Sequence, residues 1–304
     1  MKTYICHLLG LSLCLTIFSC HKSITNLQST GQTPQDSSGT VIVKPDSVVV
    51  KTTPPYPQTA VSGCSYAPSY GDTIIYPQPD NNQDYIVSPV NSPGPGKYFS
   101  WPEGMVIDSV TGAINVTKSE TGMKYAIGFV KAGSKDTCLN TLIIGGASYM
   151  DSVYVLQDGA TKALPYFDAN PFLTSVCNGT GNGSGCAFDV TGSAGNQKVI
   201  VNNSSGIIDL QKTLNGTSLL GGAFGLLPVN GQTITTTIYY RLNDASNNAL
   251  QHIDVQIAYF NKKSLINLSL LNNLLNKLDN ILSGNLISLT SNPRPPLIII
   301  VRSK

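Results

Sequence analysis

The sequence predicts an all-β protein built of two tandem β-sandwiches, closed by a C-terminal helix and a final strand. Three observations lead there. Glycine (28) and proline (18) are plentiful, and the middle of the chain is rich in Thr, Val, Ile, Tyr and Asn, a mixture that favours short strands joined by turns. Apolar and polar residues alternate in short runs separated by turn signals, the pattern of half-buried strands. The chain also repeats itself: "VIDSVTGAINVTKSETG" (106–122) is followed by "IVNNSSGIIDLQKTLNG" (200–216), with Gly112 matching Gly206 and Gly122 matching Gly216 at one offset (206 − 112 = 94). A period near one hundred residues is a domain-sized repeat, too long for a solenoid unit.

The 304 residues leave room for two ordinary domains. Residues 1–19 are expected to be a signal peptide. Lys2 opens it, and "YICHLLGLSLCLTIFS" is an apolar stretch too short for a comfortable membrane span. It ends in "IFSC", which resembles the lipobox of bacterial lipoproteins; Phe18 departs from the small residue usual in that pattern. The resemblance implies cleavage before Cys20, its lipidation and anchoring in a cell outer membrane. "CHKSITNLQS" has no acidic residue after the cysteine, which favours the periplasmic face over the surface. Residues 20–62 lack a rhythm of large apolar side chains and are expected to form a flexible tether.

The first sandwich is expected over 63–157. Its strands are "DTIIYPQ", "DYIVSPV", the hairpin "MVID-SVTG-AINV", "KYAIGFVKA", "DTCLNTLIIGG" and, to close the unit, "DSVYVLQ". Gly112 serves the hairpin turn, which needs positive φ. The second sandwich, 158–262, repeats the order with "ALPYFDA", "CAFDVTG", "QKVIVN-NSSG-IIDLQ", "TITTTIYYRLND" and "LQHIDVQIAYF". Ile107 matches Val201, Ile114 matches Ile208, Val116 matches Leu210 and Lys118 matches Lys212. Residues 263–304 are expected to dock on the second unit. Leu268, Leu271, Leu275, Leu278 and Leu282 make one apolar helix face between Ser264 and Gly284. Leu297 to Val301 then reads as a fully buried strand, with donation to a neighbouring subunit as the alternative.

"GMVIDSVTGAINV" resembles the hairpin of cadherin-like and immunoglobulin-like bacterial surface domains. "SETGMKYAIGFVKAGSKDTCLNTLIIGGASYMDSVYVL" resembles a domain of uncharacterised Bacteroidota-type lipoproteins. The resemblance covers 65–157 well and 158–262 weakly. It implies immunoglobulin-like or cadherin-like sandwiches and leaves activity open, because sandwiches host many functions.

Candidate chemistry is sparse. Charged residues are 12% and net charge is +2, which is not the footprint of a nucleic-acid binder. No GxSxG elbow, Walker loop or HExxH occurs, and Glu103 and Glu120 are the only glutamates. His252 lies in a strand pattern and reads as structural. Beyond the signal and Cys20 remain Cys64, Cys138, Cys177 and Cys186, an even number with three possible pairings. Cys177 and Cys186 flank "NGTGNGSG" and are expected to pair, which leaves Cys64 with Cys138. No metal or cofactor is assigned. "FDANPF", with Asp168, faintly echoes the calcium-binding linker of cadherins, so calcium between the units is left open. Trp101, the only tryptophan, reads first as a core residue, as is usual in sandwich domains, and with Tyr98 is the candidate ring platform for a glycan as the alternative. "DSV" recurs at Asp46, Asp108 and Asp151 and resembles an O-glycosylation acceptor, with Ser47 the most accessible hydroxyl.

The expected function is that of a non-enzymatic cell-envelope lipoprotein, a binding, adhesion or scaffold module. Its partners are the membrane, through the anchor, and an unknown protein or glycan ligand, with weak self-association allowed. The alternatives are a glycan-binding accessory lipoprotein and a pilin-like fibre subunit that donates a strand.

Overall fold

The computed structural model describes residues 60–61, 64–79, 83–177, 185–216, 220–272, 274 and 295–304. The expected signal peptide, Cys20, nearly all of the tether with Ser47, residues 178–184 and most of the expected helix lie outside these residues. The protein is mostly β, arranged in several sheets.

In chain order the first half carries β1 (Ala60–Val61), β2 (Ile74–Ile75), β3 (Ile86–Val87), β4 (Gly96–Trp101), β5 (Val106–Ile107), β6 (Ile114–Asn115), β7 (Met123–Lys131) and β8 (Thr137–Ile144). Strands β4, β7 and β8 are antiparallel neighbours, and β1 and β2 both lie parallel to β8. Thus β1, inside the span expected to be tether, belongs to a sheet. A smaller sheet runs β3-β6-β5. Both sheets supply the core: Ile75, Tyr125, Ile127, Leu142 and Ile144 from one, Ile114 with Val87 and Ile107 from the other.

The second half carries β9 (Ala147–Tyr149), β10 (Ser152–Val155), β11 (Lys162–Ala163), β12 (Pro165–Phe167), β13 (Ala187–Phe188), β14 (Ile208–Asp209), β15 (Thr233–Arg241), β16 (Gln251–Lys262) and β17 (Leu297–Ser303). Two short helices, α1 (Ser193–Asn196) and α2 (Leu210–Asn215), interrupt it. Its large sheet runs β10-β17-β16-β15-β13, while β11 pairs with β14 and β12 with β9. Here the structure corrects one expectation. "DSVYVLQ" was expected to close the first unit, yet β10 pairs with β17, Ser152 opposite Ile298 and Val155 opposite Val301. Local alternation marks a strand but carries no information on which sheet receives it.

The terminal strand occupies an interior position, parallel to both β16 and β10. Its unbroken apolar run follows from burial on two faces. Ile298 and Ile300 join Ile253, Val255, Ile257 and Tyr259 in one core. Leu297, Ile299 and Val301 join Ala258 and Phe260 on the opposite face, where Leu270, Leu271 and Leu274 cover them. The described start of the expected helix therefore docks on the protein's own sheet, but through Leu270, Leu271 and Leu274; Leu268, expected on the docking face, is exposed.

The repeat holds bond by bond at the same offset of 94. Asp108 N donates to Ala113 O (2.8 Å) and Gly112 N to Asp108 O (2.9 Å); Asn202 N donates to Ile207 O (2.8 Å) and Gly206 N to Asn202 O (2.9 Å). Asp108 Oδ1 accepts from Val110 N and Thr111 N, as Asn202 Oδ1 does from Ser204 N and Ser205 N. Val106 N donates to Ser119 Oγ (2.9 Å) and Ile200 N to Thr213 Oγ1 (3.0 Å). A bridge between Val201 and Ile208 stands where β5 meets β6. Each turn glycine has positive φ, 74° and 72°. Each also lies under an aromatic ring, Tyr98 over Gly112 and Phe188 over Gly206, so a side chain there meets both a backbone and a packing obstacle.

Candidate binding site

The two halves meet through buried polar groups. Tyr240, at the end of β15, accepts from Ala147 N (2.8 Å) and donates towards Ala147 O (3.2 Å). Its hydroxyl also pairs with Thr121 Oγ1, which donates to His252 O at 3.0 Å. Burial pushes the Tyr240 hydroxyl well above the ordinary phenol range. On the other side of the junction Tyr76 OH donates to Asp168 Oδ2 (2.8 Å) and Gly146 N to Asp168 Oδ1 (2.9 Å). Burial raises the Asp168 carboxyl above its usual value, opposed by those two hydrogen bonds. Gly146 is glycine because a Cβ would lie 2.4 Å from Gln251 Oε1 and 2.6 Å from the Tyr240 hydroxyl.

Beside this junction lies a cleft of about 360 Å³, lined by Gln78, Thr117, Lys118, Tyr239, Leu250, Gln251 and His252. Tyr239 and His252 are opposite one another on β15 and β16. Their rings lie 5.8 Å apart at 35°, a tilted aromatic pair. Lys118 is held by Asp84 (2.5 Å), which also accepts from Asn115 Nδ2 (2.7 Å). These hydrogen bonds, that of Lys118 first, hold the Asp84 carboxyl below the usual carboxylate range. Gln78 spans the junction, donating to Ala245 O (3.1 Å) and accepting from Asn247 Nδ2 (3.0 Å). Thr117 Oγ1 accepts from Tyr85 N (2.9 Å). The cleft thus offers ring surface and the Lys118 ammonium, beside amides whose N–H groups already donate within the protein, a lining on which a polar ligand can stack.

A second, more open cleft of about 840 Å³ runs along the repeated hairpin of the second half. Lys162, Asn202, Asn203, Ser204, Asp209 and Lys212 line it. Asn202 already accepts the turn N–H groups, and Asp209 Oδ1 caps α2 by accepting from Lys212 N (2.9 Å).

The residues singled out from the sequence are dispersed. Trp101 is 3% exposed and Tyr98 6% exposed, both in β4. Tyr98 packs against Phe129, ring centres 4.8 Å apart, and over Gly112. Neither ring has a face open to a sugar, so of the two readings of Trp101 the core one holds and the alternative platform candidate does not. Cys177 pairs with Cys186 and Cys64 with Cys138, Cα atoms 5.5 Å apart in each. Among the further DSV motifs, Asp108 Oδ1 is engaged in the hairpin turn and Ser152 opens β10. Among the described residues no three His, Cys, Asp or Glu side chains gather closely enough to hold a metal. Sequence reasoning missed Tyr239, Gln78 and Lys118 as a group, because they converge only through the junction. The sole signal was the repeat itself, which puts a lysine after each hairpin.

No protein-family model and no curated protein matches the chain. Among solved structures, Drosophila N-cadherin EC1-4 is similar over 63% of this chain and 49% of that one, at 8% identity and a TM-score of 0.20. Human protocadherin-24 EC1-2 is similar over 63% of this chain and 97% of that one, again at 8% identity and a TM-score of 0.20. The chain spans about half the length of the N-cadherin fragment. Likeness at this level carries no argument about function.

Proposed function

We propose that the protein is a non-enzymatic cell-envelope lipoprotein that acts as a binding, adhesion or scaffold module. Two tandem immunoglobulin-like sandwiches form its body, and the tether from a lipidated Cys20 carries them. The observation behind this reading is the doubled frame. Strands β4, β7 and β8 correspond to β13, β15 and β16, and both hairpins share their hydrogen bonds at the 94-residue offset. The conspicuous polar side chains of the described residues hold turns or join the halves, which suits a rigid two-part spacer or presenter.

Two experiments test the reading. Metabolic labelling with palmitate should mark the chain and fail with Cys20→Ala; an unlabelled parent chain overturns the anchor. Incubation of the purified chain with polymeric glycans and peptides should leave them intact; turnover that copurifies with the folded protein overturns the non-enzymatic assignment. The inter-half cleft favours a second reading, a glycan-binding accessory lipoprotein with Tyr239 and His252 as the stacking surface. Saccharide titration by calorimetry should then give heats that Tyr239→Ala abolishes.

A further inference from the structure

We propose that the end of the second sheet farthest from the junction docks on an anionic lipid surface. Strand β16 begins at the junction with Gln251 and ends at Lys262, a run of about 40 Å at ~3.4 Å per residue. At its far end residues 220–229, "LGGAFGLLPV", form a loop before β15 with no counterpart in the first half. Leu220, Leu226, Leu227 and Val229 stand 73%, 71%, 85% and 67% exposed on it. Single exposed aliphatics need no explanation, but four on one loop do.

The loop is fixed at its base. Phe224 is buried, its ring 6.0 Å from that of Tyr259. Ala223 N donates to Thr213 O (2.8 Å), Gly231 N to Tyr259 O (2.8 Å), and Asn261 N to Asn230 Oδ1 (2.6 Å). The leucines are therefore presented outward by an anchored backbone. Leu268, 69% exposed, follows shortly after the end of β16.

Cations lie at the same end of the sheet. Lys262 and Lys263 leave the end of β16, and Arg302 lies over Tyr259, the residue that holds Phe224 (6.0 Å from guanidinium to ring). Lys304 is paired with Asp158 at 3.1 Å. Aliphatic protrusion with basic residues at the same end is the chemistry of interfacial insertion: apolar side chains enter the headgroup boundary while lysines meet anionic headgroups. A protein-binding hot spot would instead centre on Trp, Tyr or Arg in a packed pocket, and the exposed tip is Leu and Val alone. The proposal is independent of the anchor at Cys20, which lies in a different part of the chain.

The test places a reporter at the tip of the full-length chain. Trp101 is the only tryptophan and is buried, so Leu227→Trp adds a local signal. Vesicles of phosphatidylglycerol and phosphatidylcholine with brominated acyl chains should quench the new emission and leave the parent's unchanged. Replacing Lys262 and Lys263 by Gln should lower the vesicle partition read at this site about fivefold per lysine, with the unfolding midpoint unchanged. The proposal is overturned if the chain associates with vesicles through its N-terminal part while Leu227→Trp stays unquenched. It is equally overturned if quenching is as strong on neutral phosphatidylcholine and indifferent to both lysines.

Discussion

Two glycines with the same backbone angle separate conformational strain from packing in this fold. Gly192 has φ +71° with nothing within 4 Å of a built Cβ. Gly206 has φ +72°, but its Cβ would lie 2.5 Å from the Phe188 ring. That ring is buried and stacked on Tyr240 at 5.3 Å and 18°, so it has nowhere to retreat. Gly192→Ala should cost the left-handed strain alone, about 1–2 kcal/mol. Gly206→Ala should cost that plus overpacking of about 1–3 kcal/mol, together roughly 2–5 kcal/mol. Gly112→Ala, with its Cβ 2.7 Å from the Tyr98 ring, should behave like Gly206→Ala if the repeat is energetically as well as geometrically doubled. The assay is urea unfolding by circular dichroism, comparing midpoints at unchanged slope. A Gly206→Ala cost within about 0.5 kcal/mol of Gly192→Ala would refute the view that the aromatic lid over each turn is tightly packed.

Three further outcomes follow from the geometry. Tyr240→Phe keeps the ring but removes the hydroxyl shared by Thr121 and Ala147; calorimetric unfolding should show a loss of about 2–4 kcal/mol from the broken hydrogen bonds and the buried N–H left behind. Asp168 has its pKa raised above the ordinary 3.8 by burial, so its contribution to stability is fully present below that value and is lost as pH rises through the raised folded value; Asp168→Asn should flatten this part of the pH–stability profile, and an unchanged profile would contradict it. Deleting 297–304 removes five fully buried aliphatic residues, Leu297 to Val301, worth on the order of 8–15 kcal/mol at ~1.5–3 each. That rivals the whole stability of a domain, so the truncated chain should lose its folded second half by circular dichroism and native mass; a stable, folded monomer would show that β17 is dispensable.

The failure of one expectation and the success of another share a cause. "DSVYVLQ" and "LIIIV" were both legible as strands, yet only the second advertised its environment. Five consecutive apolar residues require burial on two faces, and β17 has it. The alternating pattern of β10 fits any half-buried edge, so its partner had to come from long-range pairing. In the sequence Trp101 beside Tyr98 and Phe99 fits core and platform alike, because aromatic residues serve both; register with β7 and the turn at Gly112 bury Trp101 and Tyr98.

The sequence by itself determined the β character, the doubled hairpin with its two positive-φ glycines, and the buried nature of the last strand. These are written in local chemistry: period-two alternation, turn-forming Asx and glycine, and unbroken apolar runs. Only the tertiary structure decided that β10 flanks β17 and that Tyr240 and Asp168 join the halves. It also gathered Gln78, Lys118, Tyr239 and His252 around one cleft, and Leu227 and Lys263 at one end. Those outcomes depend on contacts between residues tens to more than a hundred positions apart, and no local pattern encodes which distant surface a side chain will meet.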